Sequence, residues 1–274
     1  MFIYIFIIVL FIIGLYLLAI MPKMINRVDF TPFKGRHYAH RGLHQNKNIS
    51  PENSMAAFKL AVDNDYGIEF DIQLTKDNVP VVFHDATLKR VCGINKKVKD
   101  YTYKQLKTIN LYDSKEMIPH LKDVLDLVNG KVPLIVELKG ESSDVTIAGI
   151  VASYLDKYDG LYCVESFNPF IILWYKRNRP KVIRGQLSTR FNSKGKVFKD
   201  KILDFILENL LLNFMTKPDF IAYNYLDQDV LSFLLCKNLY RTFTVAYTIQ
   251  TKASLKSNLN KFDLFIFDEF IPEV

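Results

Sequence analysis

The sequence predicts an α/β barrel of eight parallel strands, with a small insertion after the second strand and one transmembrane helix ahead of it. Three observations predict it. Short runs with strand character alternate with helical periodicity along most of the 274 residues. Histidines, carboxylates and cations collect at the ends of these runs, as side chains do on the carboxyl face of a parallel barrel. Residues 2–20 carry no charge at all. The chain is 49% apolar, ample for one large core, and a single barrel uses about 250 residues.

The elements follow in order. At about 1.5 Å per residue, the run 2–20 is long enough to cross a bilayer as a helix. Pro22 ends it, and Lys23, Arg27, Lys34 and Arg36 follow. A cleaved signal peptide has a basic start and a small-residue cleavage site, and neither is found here. Residues 1–22 therefore read as an uncleaved single-pass anchor, and the basic flank places the domain that follows on the cytoplasmic side. Residues 23–35 read as a short tether, and 36–274 as the barrel. Strand candidates are 36–40, 68–74, 81–84, 134–138, 161–165, 182–187, 220–223, 242–247 and 264–267. Helical periodicity marks 55–64, 121–128, 145–158, 169–178, 201–212, 229–237 and 252–258. Nine strands are one too many. Thr75-Lys76-Asp77-Asn78 is turn chemistry and leaves no room for a helix before Val81. The third run is thus expected to fold back and bring His84 near the barrel mouth. Residues 86–131 show helix and loop character without a barrel strand, and read as an insertion that shapes the substrate pocket.

Lys and Arg number 36 against 29 acidic residues, a net charge of +7. That excess suits an anionic substrate or membrane surface, and equally a solvated surface without a partner. No Arg-rich run, zinc-finger spacing or RNA-binding motif is present, so nucleic acid is not expected as a partner. Cys92, Cys163 and Cys236 are far apart and form no CxxC pair, which suits a reducing compartment.

Glu69 and Asp71 occupy i and i+2 of one predicted strand, so both side chains point the same way. Two adjacent carboxylates inside a barrel repel unless a cation lies between them. Glu137, at the end of the following barrel strand, supplies a third oxygen donor, and such a set suits Mg²⁺ or Ca²⁺ rather than zinc or copper. His40 and His84 each end a strand run and precede a charged residue, the setting of a general acid–base pair. His37, His44 and His120 lack that setting and read as ordinary residues. Arg41 and Lys139 flank candidate site residues and are placed to bind phosphate oxygens. Glu52 could bind substrate hydroxyls or orient a histidine, and Asn53-Ser54 reads as a helix cap. Together these groups suffice to bind a divalent ion and cleave a P–O bond.

The ordered motifs resemble the glycerophosphodiester phosphodiesterase family. They are His40-Arg41-Gly42, Pro51-Glu52-Asn53-Ser54, Glu69-Phe70-Asp71 with Thr75 and Asp77, His84-Asp85 with Arg90, and Glu137-Leu138-Lys139. Ser166-Phe167-Asn168 resembles the family's Ser-Phe motif, and 262–268 its closing strand. The likeness runs from about Arg36 to Pro272. It implies a TIM-like (β/α)8 barrel that hydrolyses glycerophosphodiesters to sn-glycerol 3-phosphate and an alcohol. It also implies His40 and His84 as the acid–base pair, Glu69, Asp71 and Glu137 as metal ligands, and Arg41 and Lys139 as phosphate contacts. Tyr247 stands before Thr248 where the family often has tryptophan, and Phe267 precedes Asp268 where Thr is usual; both changes touch the substrate rim. Phe167 and Tyr247, with Glu52, are the rim residues. Two rival expectations remain: a lysophospholipid substrate cut in the manner of a lysophospholipase D, and an inactive membrane-tethered phosphate-binding protein. The anchor and the aromatics Phe167, Phe170 and Trp174 suit the first; the intact His40, His84, Glu69, Asp71 and Glu137 set opposes the second.

Overall fold

The computed structural model describes residues 2–44, 47–140, 143–192 and 194–272. Helix α1 (Phe2–Ile20) leads into β1 (Tyr38–His40), α2 (Met55–Asp63), β2 (Gly67–Leu74) and β3 (Pro80–Val82). Then come α3 (Lys89–Cys92), α4 (Tyr103–Leu106), α5 (Leu121–Val128), β4 (Leu134–Leu138), α6 (Thr146–Leu155), β5 (Tyr162–Ser166) and α7 (Pro169–Asn178). The chain continues through β6 (Arg184–Ser188), α8 (Phe198–Glu208), α9 (Asn213–Thr216), β7 (Phe220–Asn224), α10 (Leu231–Asn238), β8 (Phe243–Ile249), α11 (Lys252–Asn258) and β9 (Leu264–Phe267).

Eight of these strands form a closed parallel ring, a TIM barrel. β1 closes it by pairing with β2 (Tyr38 opposite Gly67) and with β9 (Tyr38 opposite Ile266). The ninth, β3, is the expected return strand and runs antiparallel to β2, with Leu74 opposite Pro80. Thr75 makes the turn: its hydroxyl donates to Asp77 at 2.6 Å and accepts from the Val79 amide at 2.9 Å. Alternation along the strands divides the core in two. Ile68, Phe70 and Ile72 of β2 and Val136 and Leu138 of β4 face the helix layer, among Phe58, Val124 and Val128. Ile135, Cys163, Leu187, Val245 and Ile266 face inward and fill the barrel's lower half.

Residues 86–131 do not behave as one insertion. Leu121, Val124, Leu125 and Val128 of α5 belong to the main core, so α5 is the crossover helix leading to β4. The part before it has a core of its own, built on Phe83, Leu88, Val91, Leu106 and Ile118. The segment read as a tether is also packed rather than free. Lys23 pairs with Asp219 at 2.7 Å, Arg27 donates to the Tyr240 and Arg241 carbonyls, and Phe30 stacks on Phe243 with centroids 4.0 Å apart. Phe33 is buried, and Tyr38 donates to its carbonyl at 3.0 Å. These residues stopper the barrel at the amino ends of its strands. Only the last turns of α1 touch the barrel, where they lie in the outer layer beside the four-residue α9. Ile20 is fully buried, its carbonyl accepts from Asn213 at 3.0 Å, and Tyr240 donates to the Leu17 carbonyl at 2.8 Å.

Candidate active site

Register places the acidic groups. Asp71 sits opposite Glu137 across the β2–β4 pair, and Glu137 opposite Glu165 across β4–β5. The parity that sends Phe70 and Val136 outward turns these carboxylates inward at the carboxyl ends of the strands. Oxygens of Glu69, Asp71 and Glu137 lie within 4.8 Å of one another, and all three side chains are buried.

His40 ends β1. Its Nδ1 is 2.8 Å from Asp268 Oδ2, just past β9, and its Nε2 is 4.0 Å from Glu69 Oε2. His84 follows β3, with Nδ1 2.7 Å from Asp85 Oδ1. A carboxylate at Nδ1 keeps the proton on that nitrogen and leaves Nε2 with its lone pair. Burial holds both imidazoles below their ordinary pKa, against the opposing pull of Asp268 on His40 and of Asp71 on His84.

The chain leaves β1 through two left-handed residues, Arg41 (φ +58°) and Gly42 (φ +81°), and a Cβ on Gly42 would sit 2.9 Å from the Phe58 ring. This turn aims the Arg41 amide at Glu69 Oε2 (3.2 Å). The Arg41 guanidinium donates to Glu52 at 2.7 Å and lies 3.6 Å from Asp71 Oδ2. Lys139 bridges Asp71 (2.8 Å) and Glu137 (2.6 Å). Glu52 lines a side cavity with His44, Tyr112 and Asp268, and its carboxylate is taken up by neighbours. It accepts from Arg41, twice from Arg90 (2.6 and 2.7 Å) and from the Tyr112 hydroxyl (3.0 Å), and Arg90 also holds Asp85 at 2.7 and 2.8 Å. Burial would raise the Glu52 carboxyl, but Arg90 and Arg41 outweigh it and hold it at about 2. Glu52 is thus a brace that joins the two histidine-bearing loops. Phe167 and Tyr247 stand edge to face at 6.2 Å, and Tyr247 donates to the Ser188 carbonyl at 2.6 Å. A groove of about 900 Å³ runs from His84, Lys139 and Glu137 to Phe167.

Charge is unbalanced here. Four buried carboxylates, Glu69, Asp71, Glu137 and Glu165, face two cations, Lys139 and Arg41. Burial, reinforced by the neighbouring carboxylates, pushes Glu69 and Glu165 well above the usual range. Burial also lifts Glu137 to about 7, although Lys139 pulls it down. Asp71 alone is held low, because Lys139, His84 and Arg41 outweigh its burial. Carboxyls pushed up by burial and by one another's charge are the ones that a divalent ion among oxygen donors would hold ionised. The donor set fits such an ion.

Sequence reasoning missed several members of this site. Ser54 is the helix cap, accepting from the Ala57 amide at 3.1 Å. Asn53, at φ +55°, instead turns its amide to Asp71 Oδ2 at 2.9 Å. His44, read as ordinary, has Nε2 2.9 Å from Asp268 Oδ1, so one carboxylate holds two imidazoles. Glu165 could have been found by counting two residues on from the inward Cys163 of β5.

Residues 40–228 match the family model of the glycerophosphoryl diester phosphodiesterase family, well over half of the chain. The chain belongs to this family. A glycerophosphodiester phosphodiesterase from Caldanaerobacter subterraneus subsp. tengcongensis is 34% identical over 161 residues, 54% of this chain and 65% of that protein. Glycerophosphodiester phosphodiesterase 1 of Bos taurus is 28% identical over 222 residues, 68% and 66% of the two chains. One from Bacillus altitudinis is 38% identical over 120 residues, 41% and 48%. This family member thus spans about half to two thirds of the length of the curated relatives it matches. Among solved structures, an Oleispira antarctica phosphodiesterase in complex with the product sn-glycerol-3-phosphate superposes with TM-score 0.69, at 22% identity, over 86% of this chain and 93% of that one. At that identity the likeness establishes the shared barrel.

Proposed function

We propose that the chain hydrolyses glycerophosphodiesters to sn-glycerol 3-phosphate and an alcohol, with Mg²⁺ or Ca²⁺ held by Glu69, Asp71 and Glu137. The observation that carries this reading is the buried carboxylate triad, whose oxygens lie within 4.8 Å of one another, with a carboxylate-held histidine on either side of the mouth. A bound divalent ion would offset the phosphodiester charge and the charge that gathers on its oxygens. Lys139 and Arg41 supply cationic donors beside that position. One of His40 and His84 takes a proton at its Nε2 lone pair from the attacking water as the new P–O bond forms, and the other, as the imidazolium, gives a proton from Nε2 to the leaving alcohol oxygen as the old P–O bond breaks. Asp268 and Asp85 fix which nitrogen carries the proton. Phe167 lines the groove, with Tyr247 packed edge to face against it, and the pair would meet the alcohol part of the substrate.

We also propose that α1, apolar and long enough to span by composition and length, anchors the chain in a membrane with the barrel on the cytoplasmic side. Protease protection in intact cells tests the side. The chemistry is tested by incubating purified protein with glycerophosphocholine and either ion while following glycerol 3-phosphate. Turnover that Glu69→Gln and His84→Ala abolish is expected; no turnover with either ion would overturn the reading.

A further inference from the structure

The direction of α1 has a consequence for where the mouth points. Tyr16 faces Ser232 in the first turn of α10, and one turn further along both helices the Ile20 carbonyl accepts from Cys236 at 3.3 Å. The two helices therefore run in the same sense, from the mouth toward the amino ends of the strands. The chain then passes Pro218, whose carbonyl accepts from the Lys23 amide just ahead of β7. Upstream of Tyr16, α1 must rise past the mouth. Residues 2–15 amount to about 21 Å of helix at 1.5 Å per residue. That is short of the roughly 30 Å hydrocarbon thickness of a bilayer. A span too short draws its flank toward the apolar layer.

That flank is apolar. The carboxyl end of α8 is fastened to the mouth, where the Leu207 carbonyl accepts from Ser188 (2.8 Å) and the Glu208 carbonyl from Tyr223 (2.9 Å). From there α8 exposes Phe198, Ile202, Leu203 and Phe205, and within it only Asp204 is buried. Leu226 and Leu231 lie exposed beside it. Thr189 and Arg190, on the loop leading to α8, hold Asp227 at 2.7 and 2.9 Å, which ties the two parts together. Phe198 is 78% exposed and Leu226 69%, and with Ile202, Leu203, Phe205 and Leu231 they group apolar surface on one side of the mouth. Exposed Lys194, Lys199 and Lys201 interleave with them, an arrangement suited to lipid headgroups.

We propose that α8 and the start of α10 form a rim seated in the lipid bilayer that α1 crosses, so that the mouth faces the membrane surface and takes phosphodiesters from it. This inference rests on the reading of α1 as an anchor. The test uses the full chain in phosphatidylcholine vesicles containing a spin-labelled phosphatidylcholine quencher. Against a Cys92→Ser background, with Cys163 and Cys236 buried, an environment-sensitive fluorophore is attached in turn at Phe198→Cys, Leu226→Cys, Leu231→Cys, Ile8→Cys and Ile25→Cys. The lipid quencher should remove most of the emission at Ile8 and at the three rim positions, and leave Ile25, at the amino ends of the strands, unquenched. Quenching at Ile8 with none at the rim would overturn the rim while the anchor stood. Quenching at Ile25 in place of the rim would show the mouth turned away from the bilayer. No quenching at Ile8 would overturn the anchor, and the rim with it.

Discussion

Asp268→Asn tests the catalytic reading at a single atom. The carboxylate accepts from His40 Nδ1 at 2.8 Å, with His44 Nε2 2.9 Å from its other oxygen, and asparagine keeps its shape while removing its charge. Hydrogen bonds to charged groups contribute about 1.5–3 kcal/mol and neutral ones about 0.5–1.5, so the His40 bond loses on the order of 1 kcal/mol. At about 1.36 kcal/mol per decade, the His40 share alone lowers kcat roughly 5–10-fold. The loss grows to about 10²-fold or more where the new amide offers N–H to His40 and forces the other tautomer, which removes the proton-transferring Nε2 lone pair. A second readout follows from sign. Burial lowers the His40 pKa and Asp268 raises it, so without the carboxylate it falls further. The limb of the pH profile that belongs to His40 therefore moves to lower pH, whether His40 donates or accepts the proton. The assay is kcat/KM for glycerophosphocholine from about pH 5 to 9 at saturating Mg²⁺ or Ca²⁺. His44→Gln, which leaves the His40 bond in place, should cost less. Unchanged kcat together with unmoved limbs in Asp268→Asn would refute the reasoning.

Arg90→Ala should lower kcat by about tenfold with little change in folding, because Arg90 is half-exposed yet joins Glu52 to the Asp85 that holds His84; a circular-dichroism melt separates this from unfolding. Ion binding should expel protons, since burial lifts Glu137 to about 7 and raises Glu69 above the ordinary carboxylate range, so affinity should climb as pH rises through neutrality; calorimetry in buffers of different ionisation enthalpy reads the released protons directly. Glu52 and Asp85, both held at about 2, contribute stability that is present above the ordinary carboxylate range and lost as pH falls toward about 2, which urea midpoints measured down the acid range should follow. Deleting residues 2–14 should give a soluble, active barrel, whereas deleting 2–20 also removes the buried Ile20 and should cost about 2–5 kcal/mol, seen as a lower denaturation midpoint.

Much of this was legible because the chemistry sits where local pattern is strongest. Glu69 and Asp71 share a strand, His40 and His84 end strands, and parity alone aims them. The Thr75 turn announced the return strand for the same reason, since its signal is confined to four residues. What escaped reading depends on partners distant in sequence. Nothing near His44 shows that Asp268 will lie beside it. The helical pattern of α5 does not say whether it packs on the barrel or on the insertion, because both cores accept the same apolar stripe. The predicted helix over 201–212 is broken by the left-handed Leu210, giving α8 and α9, and no glycine or proline marks that break. The 23–35 segment reads as a linker by composition, yet Phe30 and Phe33 find aromatic partners at the amino ends of β7 and β8 and beside Tyr38.

The ring closes between its first and last strands, and His40 meets Asp268 across 228 positions of sequence. During synthesis, therefore, every carboxylate of the triad leaves the ribosome long before the group that orients the first imidazole. Until β9 docks on β1, His40 lacks the carboxylate that orients it. Full activity is expected only with that final strand pairing, a contact of long sequence separation and so slow to form. A recovery-of-activity trace after dilution from denaturant is then a direct clock for barrel closure, with no probe attached.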